Sequence, residues 1–180
     1  SAATSLGPRV VLKMLSSHIT HKSDVGGVAV GVSVEDLPHR LQQMSDEVCS
    51  ATGTRPHRFL VQEMVTGGAE MILGLHRDAL GTAILLGMGG VTAELFQDTC
   101  LRMLPLQGGL SREDALSMAQ QLKSWPLLDG YRGRPRLDVE ALVEAIVAFS
   151  TLAAQWGEQV IEAEINPLFV LPRGQGVKAA

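Results

Sequence analysis

The sequence predicts an α+β fold with mostly antiparallel strands, and three observations carry that reading. Short apolar or β-branched runs recur between glycine pairs and polar turns. Two longer stretches place apolar residues three and four apart, the period of a helix face. The strand-like runs also come in groups rather than alternating singly with helices, so the order along 180 residues is ββ-α-βββ-αα-ββ. That length suits one ordinary domain or two small lobes, and it buries roughly two-thirds of the unfolded surface without disulfide or metal.

The first strand is expected over Arg9 to Leu15, with Lys13 embedded in it. A polar turn follows from His18 to Asp24, then Gly26-Gly27 and a second strand over Val28 to Val32. Val34, Leu37, Leu41, Met44 and Val48 line one face of a helix spanning Val34 to Ala51, closed by Gly53 and Pro56. Strands are expected over Arg58 to Met64, Glu70 to His76 and Thr82 to Met88. Gly67-Gly68 between the first two predicts an antiparallel hairpin there. Ser111 is placed as the cap of the next helix, with Asp114 three residues on. Asp138 to Ala154 is the clearest helix, apolar at Leu142, Ala145, Ile146, Phe149, Leu152 and Ala153. Two final strands, Gln159 to Ile165 and Leu168 to Leu171, hinge at Asn166-Pro167.

Composition narrows the function. An apolar fraction of 46% with 19% charged residues excludes a disordered chain. Fifteen bases against nineteen acids, net −4, disfavour nucleic-acid binding. Four Phe, two Trp and one Tyr form no base-stacking platform. Mean hydropathy is +0.17, yet no uncharged apolar run approaches the ~20 residues of a membrane span. It hints at surface covered by other parts of a larger protein or by an oligomer. Cys49 and Cys100 form no CxxC pair, which points to a reduced, cytoplasmic setting. The opening residues do not form a signal peptide, and the chain reads as a piece of something longer.

Few residues invite chemistry. Lys13 shares a strand face with Val11, so it either snorkels to solvent or meets an anion. Gly26-Gly27, after His21-Lys22-Ser23-Asp24, either turns the chain or lets backbone N–H groups approach an anion. Glu164 and Asn166, two apart on a strand, present hard oxygen donors on one face, suited to Mg²⁺ or simply to a solvated edge. Asn166 also has the chemistry to cap a bend before Pro167. No Ser/His/Asp constellation or Cys/His metal spacing can be assembled.

Taken in order, seven motifs resemble the ATP-grasp domain of ADP-forming acyl-CoA synthetases, relatives of succinyl-CoA synthetase. They are Val10-Val11-Leu12-Lys13, His21-Lys22-Ser23-Asp24-Val25-Gly26-Gly27-Val28, Leu60-Val61-Gln62-Glu63-Met64, Gly68-Ala69-Glu70, Gly87-Met88-Gly89-Gly90-Val91, Leu127 to Pro135, and Glu164-Ile165-Asn166-Pro167-Leu168. The resemblance covers nearly all of Pro8 to Ala180. It implies a fold in which ATP or ADP lies between two α+β lobes with Mg²⁺ on its phosphates. Lys13 would then contact phosphate and the Gly26-Gly27 loop would cover it. Gln62, Glu63 and Met64 would line the adenine, Glu70 would reach the ribose, and Glu164 with Asn166 would hold the metal. His21 matches the histidine that such synthetases phosphorylate. The implied reaction joins a carboxylic acid to CoA with ATP cleaved to ADP and phosphate, its phosphoryl group passing through phosphohistidine and acyl phosphate. The remaining CoA-binding and ligase domains, or a second subunit, would be the partners.

Two departures temper that implication. The family's second metal carboxylate has no counterpart in Arg173 to Ala180, and its domain begins some tens of residues before Pro8. The chain is therefore expected to be one nucleotide-binding domain over 1–180, truncated at both ends. The competing reading is a non-catalytic regulatory ATP-grasp domain of a GNAT-type protein acetyltransferase. A further one is a scaffold that binds no nucleotide.

Overall fold

The computed structural model describes residues 5–16, 19, 22–90 and 96–180. The chain forms two compact units, Ser1–Thr66 and Gly67–Ala180, each contiguous in sequence.

The first unit holds β1 (Arg9–Met14), β2 (Val28–Ser33), α1 (Leu37–Thr52) and β3 (Phe59–Glu63). Its sheet runs β2-β1-β3, all antiparallel. Val10, Leu12 and Met14 are fully buried against Leu37, Met44 and Val48 of α1, so the alternation in β1 and the helical period in α1 meet as one core. The helix starts at Leu37 rather than Val34 because the Ser33 hydroxyl donates to the Asp36 carboxylate at 2.7 Å, forming a turn ahead of it. Gly53, in a left-handed conformation, closes the helix by donating its N–H to the Cys49 carbonyl at 2.9 Å.

The second unit is built on a five-stranded antiparallel sheet. In chain order it contains β4 (Ala69–Asp78), β5 (Gly81–Met88), β6 (Thr99–Met103), α2 (Arg112–Gln121), α3 (Trp125–Asp129), α4 (Val139–Trp156), β7 (Glu162–Val170) and β8 (Val177–Ala179). The sheet order is β6-β5-β4-β7-β8. Met71, Leu73 and Leu75 of β4, with Ile84 and Leu86 of β5, pack with Met118 of α2 and Leu142, Ile146 and Phe149 of α4. Val139–Gln159 is apolar enough by composition to cross a membrane, but the apolar stripe of α4 is spent on this core.

Two expectations need correction. The hairpin at Gly67-Gly68 does not exist: β3 pairs with β1, and β4 pairs with β5 and β7. Both glycines are left-handed, at φ +81° and +84°, and there the chain passes from one unit to the next instead of folding back. The hairpin lies one step later, where Asp78 pairs with Gly81. The hinge at Asn166-Pro167 is a β-bulge inside one continuous strand. Leu73 pairs with Ile165 and Met71 with Leu168, so two residues of β7 oppose Ile72 alone. That extra residue lets Ile165 and Leu168, three apart, both reach the core. Leu152 is 44% exposed, because the inner face of α4 is turned toward Val143 and Ser150.

The turn before α2 is fastened to that inner face. The Ser150 hydroxyl donates to the Val147 carbonyl and accepts the Leu110 N–H, both at 2.8 Å, pinning the 109–111 segment to α4. A Cβ on Gly109 would sit 2.7 Å from the Thr151 backbone nitrogen and 2.6 Å from its hydroxyl. Gly109→Ala is therefore expected to destabilise the fold by roughly 2–4 kcal/mol, because the helix backbone cannot yield. A urea-unfolding midpoint unchanged in this variant would show that the segment relaxes freely.

Candidate functional site

In the first unit, Lys13 lies on the face of β1 opposite the core, half-buried beside Val28 of β2 and Leu60 of β3. Burial, reinforced by the charge of Lys22, pushes its ammonium below the ordinary lysine pKa. No ion pair forms at Lys13 among the described residues. The sequence motif contained Lys22 but did not single it out; its position next to Lys13 emerges only in the fold.

The glycine loop is more occupied than the sequence suggests. Gly26 donates its N–H to the Ser23 carbonyl at 3.2 Å, and Gly27 donates to the Lys22 carbonyl at 2.7 Å. Neither amide is thus offered to an anion. Gly27 is needed for closeness instead: a Cβ there would lie 2.8 Å from Met14 Cγ and 2.9 Å from the Lys22 carbonyl. Its own carbonyl accepts the Met14 N–H at 2.8 Å, fastening the loop to β1 next to Lys13. His21, the candidate phosphoryl acceptor, lies outside the described residues.

On β3, Gln62 pairs with Val11 and shares the Lys13 face, whereas Glu63 is exposed at the strand end and Met64 follows it half-buried. Gln62 Oε1 is sealed from water and has no hydrogen-bond partner among the described residues. A buried acceptor without a donor is costly, and a ligand N–H would satisfy it.

In the second unit, Glu70, Glu164 and Asn166 are all exposed on the sheet face opposite the helices. Asn166 Nδ2 donates to Glu164 Oε1 at 3.2 Å, which leaves Asn166 Oδ1 and Glu164 Oε2 as adjacent oxygen donors. Gly74 pairs with Glu164 across the ladder and brings no side chain beside it. Glu162 extends the same exposed row. No group of three or more His, Cys, Asp or Glu side chains gathers at one point among the described residues. Two separate motifs meet at Glu70: the Gly89 N–H donates to the Glu70 carbonyl at 2.7 Å, and a Cβ on Gly90 would lie 3.1 Å from its carboxylate.

A family model described as the ATP-grasp domain matches residues 1–180. The chain belongs to the ATP-grasp domain family. Among its relatives, the ADP-forming acetate–CoA ligase I of Archaeoglobus fulgidus is 36% identical over 177 residues, 97% of this chain and 25% of the ligase. The beta subunit of the ADP-forming acetate–CoA ligase II of Pyrococcus furiosus is 31% identical over 180 residues, 97% of this chain and 73% of the subunit. The dinucleotide-forming acetyl-coenzyme A synthetase 1 of Ca. Korarchaeum cryptofilum superposes with a TM-score of 0.79 at 33% identity, over 99% of this chain and 76% of that one. That protein was solved with coenzyme A and Mg-AMPPCP, its phosphohistidine segment pointing towards the nucleotide-binding site. This ATP-grasp chain thus spans a quarter of the length of the Archaeoglobus ligase and most of the Pyrococcus subunit.

Proposed function

We propose that this chain is the nucleotide-binding, phosphoryl-transferring part of an ADP-forming acyl-CoA synthetase. The observation that carries the reading is Lys13: a half-buried ammonium with a second cation near it and no ion pair among the described residues. Such a group is stabilised by an anion, and in an ATP-grasp chain the fitting anion is a nucleotide phosphate. Glu164 and Asn166 fit a divalent cation through their free oxygens, supplemented by phosphate oxygens and water. When bound, Mg²⁺ would neutralise charge on the transferring group.

This chain's own residues then have separate tasks. Lys13 orients phosphate and offsets its charge, the dominant effect in phosphoryl transfer. Gly27 keeps the loop close to β1, so the loop's role toward the phosphates is placement rather than amide donation. Gln62 offers its unsatisfied oxygen to a nucleotide N–H, alongside the backbone of Glu63 and Met64. Glu70 accepts a ribose hydroxyl, and His21 accepts the phosphoryl group on a neutral ring nitrogen. The carboxylic acid, CoA and the remaining domains or subunit belong to the rest of the synthetase, in the cytoplasm.

Calorimetric titration with ADP and ATP, in the presence and absence of Mg²⁺, tests the reading. Saturable binding that strengthens at least tenfold with Mg²⁺ is expected, and that dependence should fall away in Asn166→Ala. Heats indistinguishable from buffer under both conditions would overturn it.

A further inference from the structure

The Leu127 to Pro135 motif has no task in the nucleotide reading, and its backbone is unusual. Tyr131-Arg132-Gly133-Arg134 is a tight turn closed by the Arg134 N–H donating to the Tyr131 carbonyl at 3.1 Å. Both central residues are left-handed, Arg132 at φ +50° and Gly133 at φ +80°. Those angles describe a type I′ turn, which Asn-Gly fits and a long side chain at the first central position does not. Placing arginine there strains the backbone, and asparagine or glycine would largely relieve that strain. A residue held against the local backbone preference points to a use for its side chain.

That side chain is displayed. Tyr131, Arg132, Gly133, Arg134, Pro135 and Arg136 are all exposed, and a Cβ added to Gly133 would meet nothing within 4 Å. The Arg132 guanidinium lies 5.2 Å from the centre of the Tyr131 ring, which holds it in place. The base of the turn is anchored: Arg136 Nε donates to the Asp129 carbonyl at 3.1 Å, and its own carbonyl accepts the Arg173 N–H at 3.0 Å. Arg136 also lies 3.3 Å from the Asp129 carboxylate, whereas Arg132 and Arg134 have no ion pair among the described residues.

We propose that this turn is a docking surface for an acidic protein face on the remaining part of the synthetase. The proposal rests on the function proposed above. An open turn offers no walls to enclose a small anion, and a chain of net charge −4 does not suit nucleic acid. Tyr and Arg are the residue types that concentrate binding energy at protein interfaces, and guanidinium forks match carboxylates. The Archaeoglobus relative is four times as long as the matched region, so protein surface is the occupant at hand.

Trypsin and charge reversal test it together. The Arg132–Gly133 bond should be cut in the 180-residue chain and protected at least tenfold in the assembled synthetase; the bond after Arg134 precedes proline and resists cleavage. Arg132→Glu with Arg134→Glu should weaken association with the rest of the synthetase at least tenfold and flatten its salt dependence. Arg132→Gly should melt at or above the wild-type temperature yet associate more weakly, a combination that a purely structural role does not produce. Equal cleavage in both forms, or association unchanged in the charge-reversed variant, would overturn the proposal. Protection of the isolated chain by inorganic phosphate or duplex DNA would overturn it in favour of an anion site. MgATP titration of the same samples separates the two readings: nucleotide binding with no arginine dependence of assembly sinks only this one, and the reverse sinks only the nucleotide reading.

Discussion

Lys13→Ala is expected to weaken MgATP binding by roughly 10- to 150-fold, the equivalent of a charge-assisted contact worth about 1.5–3 kcal/mol. Stability should hardly move. Val10, Leu12 and Met14 make the core on the other face of β1, and truncating Lys13 leaves that packing intact. The pH dependence follows from the sign of its shift. Only the protonated ammonium attracts phosphate, and its pKa in the free protein lies below that of an ordinary lysine. Affinity therefore declines on the alkaline side earlier than an exposed lysine would give. Calorimetry across alkaline pH checks both points; wild-type affinity in the variant would remove Lys13 from the site. His21→Ala provides the contrast, because it should spare MgATP binding while abolishing label transfer from γ-labelled ATP in the full synthetase.

Asp138→Ala should cost roughly 2–4 kcal/mol, combining a lost helix cap with two lost charge-assisted hydrogen bonds. Its Oδ2 accepts the N–H groups of Gly174 and Gly176, both at 2.8 Å, and its Oδ1 accepts from Ala141 at 3.3 Å. The side chain thus ties the first turn of α4 to the connection between β7 and β8. In a chain of this size the melting temperature should drop by about 5–15 °C. The Gly176 bond, followed by those from Ala141 and Gly174, outweighs burial and holds the carboxyl below the usual aspartate pKa. Because the folded value is depressed, this stabilisation is complete above the unfolded-state pKa of about 4 and disappears as pH falls through the folded value. Asp138→Asn, which keeps an acceptor but no charge, should fall between wild type and alanine at neutral pH and flatten the acid limb. Thermal melts from neutral to strongly acidic pH decide this; parallel curves for wild type and Asn would show that the charge is irrelevant.

The sequence was most legible where a period or a cap is local. The buried row of β1, the apolar stripe of α1 and the Ser111 cap, whose hydroxyl accepts the Asp114 N–H at 3.0 Å, follow from neighbours within a few positions. Pairing choice was not legible. Gly67-Gly68 resembles a turn, and nothing near β3 names β1 as its partner. β6 was missed because Arg102, in a position that alternation assigns to the core side, pairs with Asp114 at 3.4 Å and breaks the apolar pattern. At the candidate site, the shared face of Glu164 and Asn166 was readable from strand alternation. The engaged amides of Gly26 and Gly27, and the stranded oxygen of Gln62, depend on contacts that no motif encodes.

Because the two units are contiguous, a ribosome finishes them in sequence. The three described strands of the first sheet have all been made once Glu63 has emerged. The second sheet is different: β4 finds β5 at once, but its other edge waits for β7, whose last residue is Val170. Until then the nascent chain carries an open apolar edge along Met71, Leu73 and Leu75, a template for pairing with other chains. Slow translation between α2 and α4 should therefore lower soluble yield more than an equal delay before Thr66, with the burden falling on whatever holds unfinished chains apart.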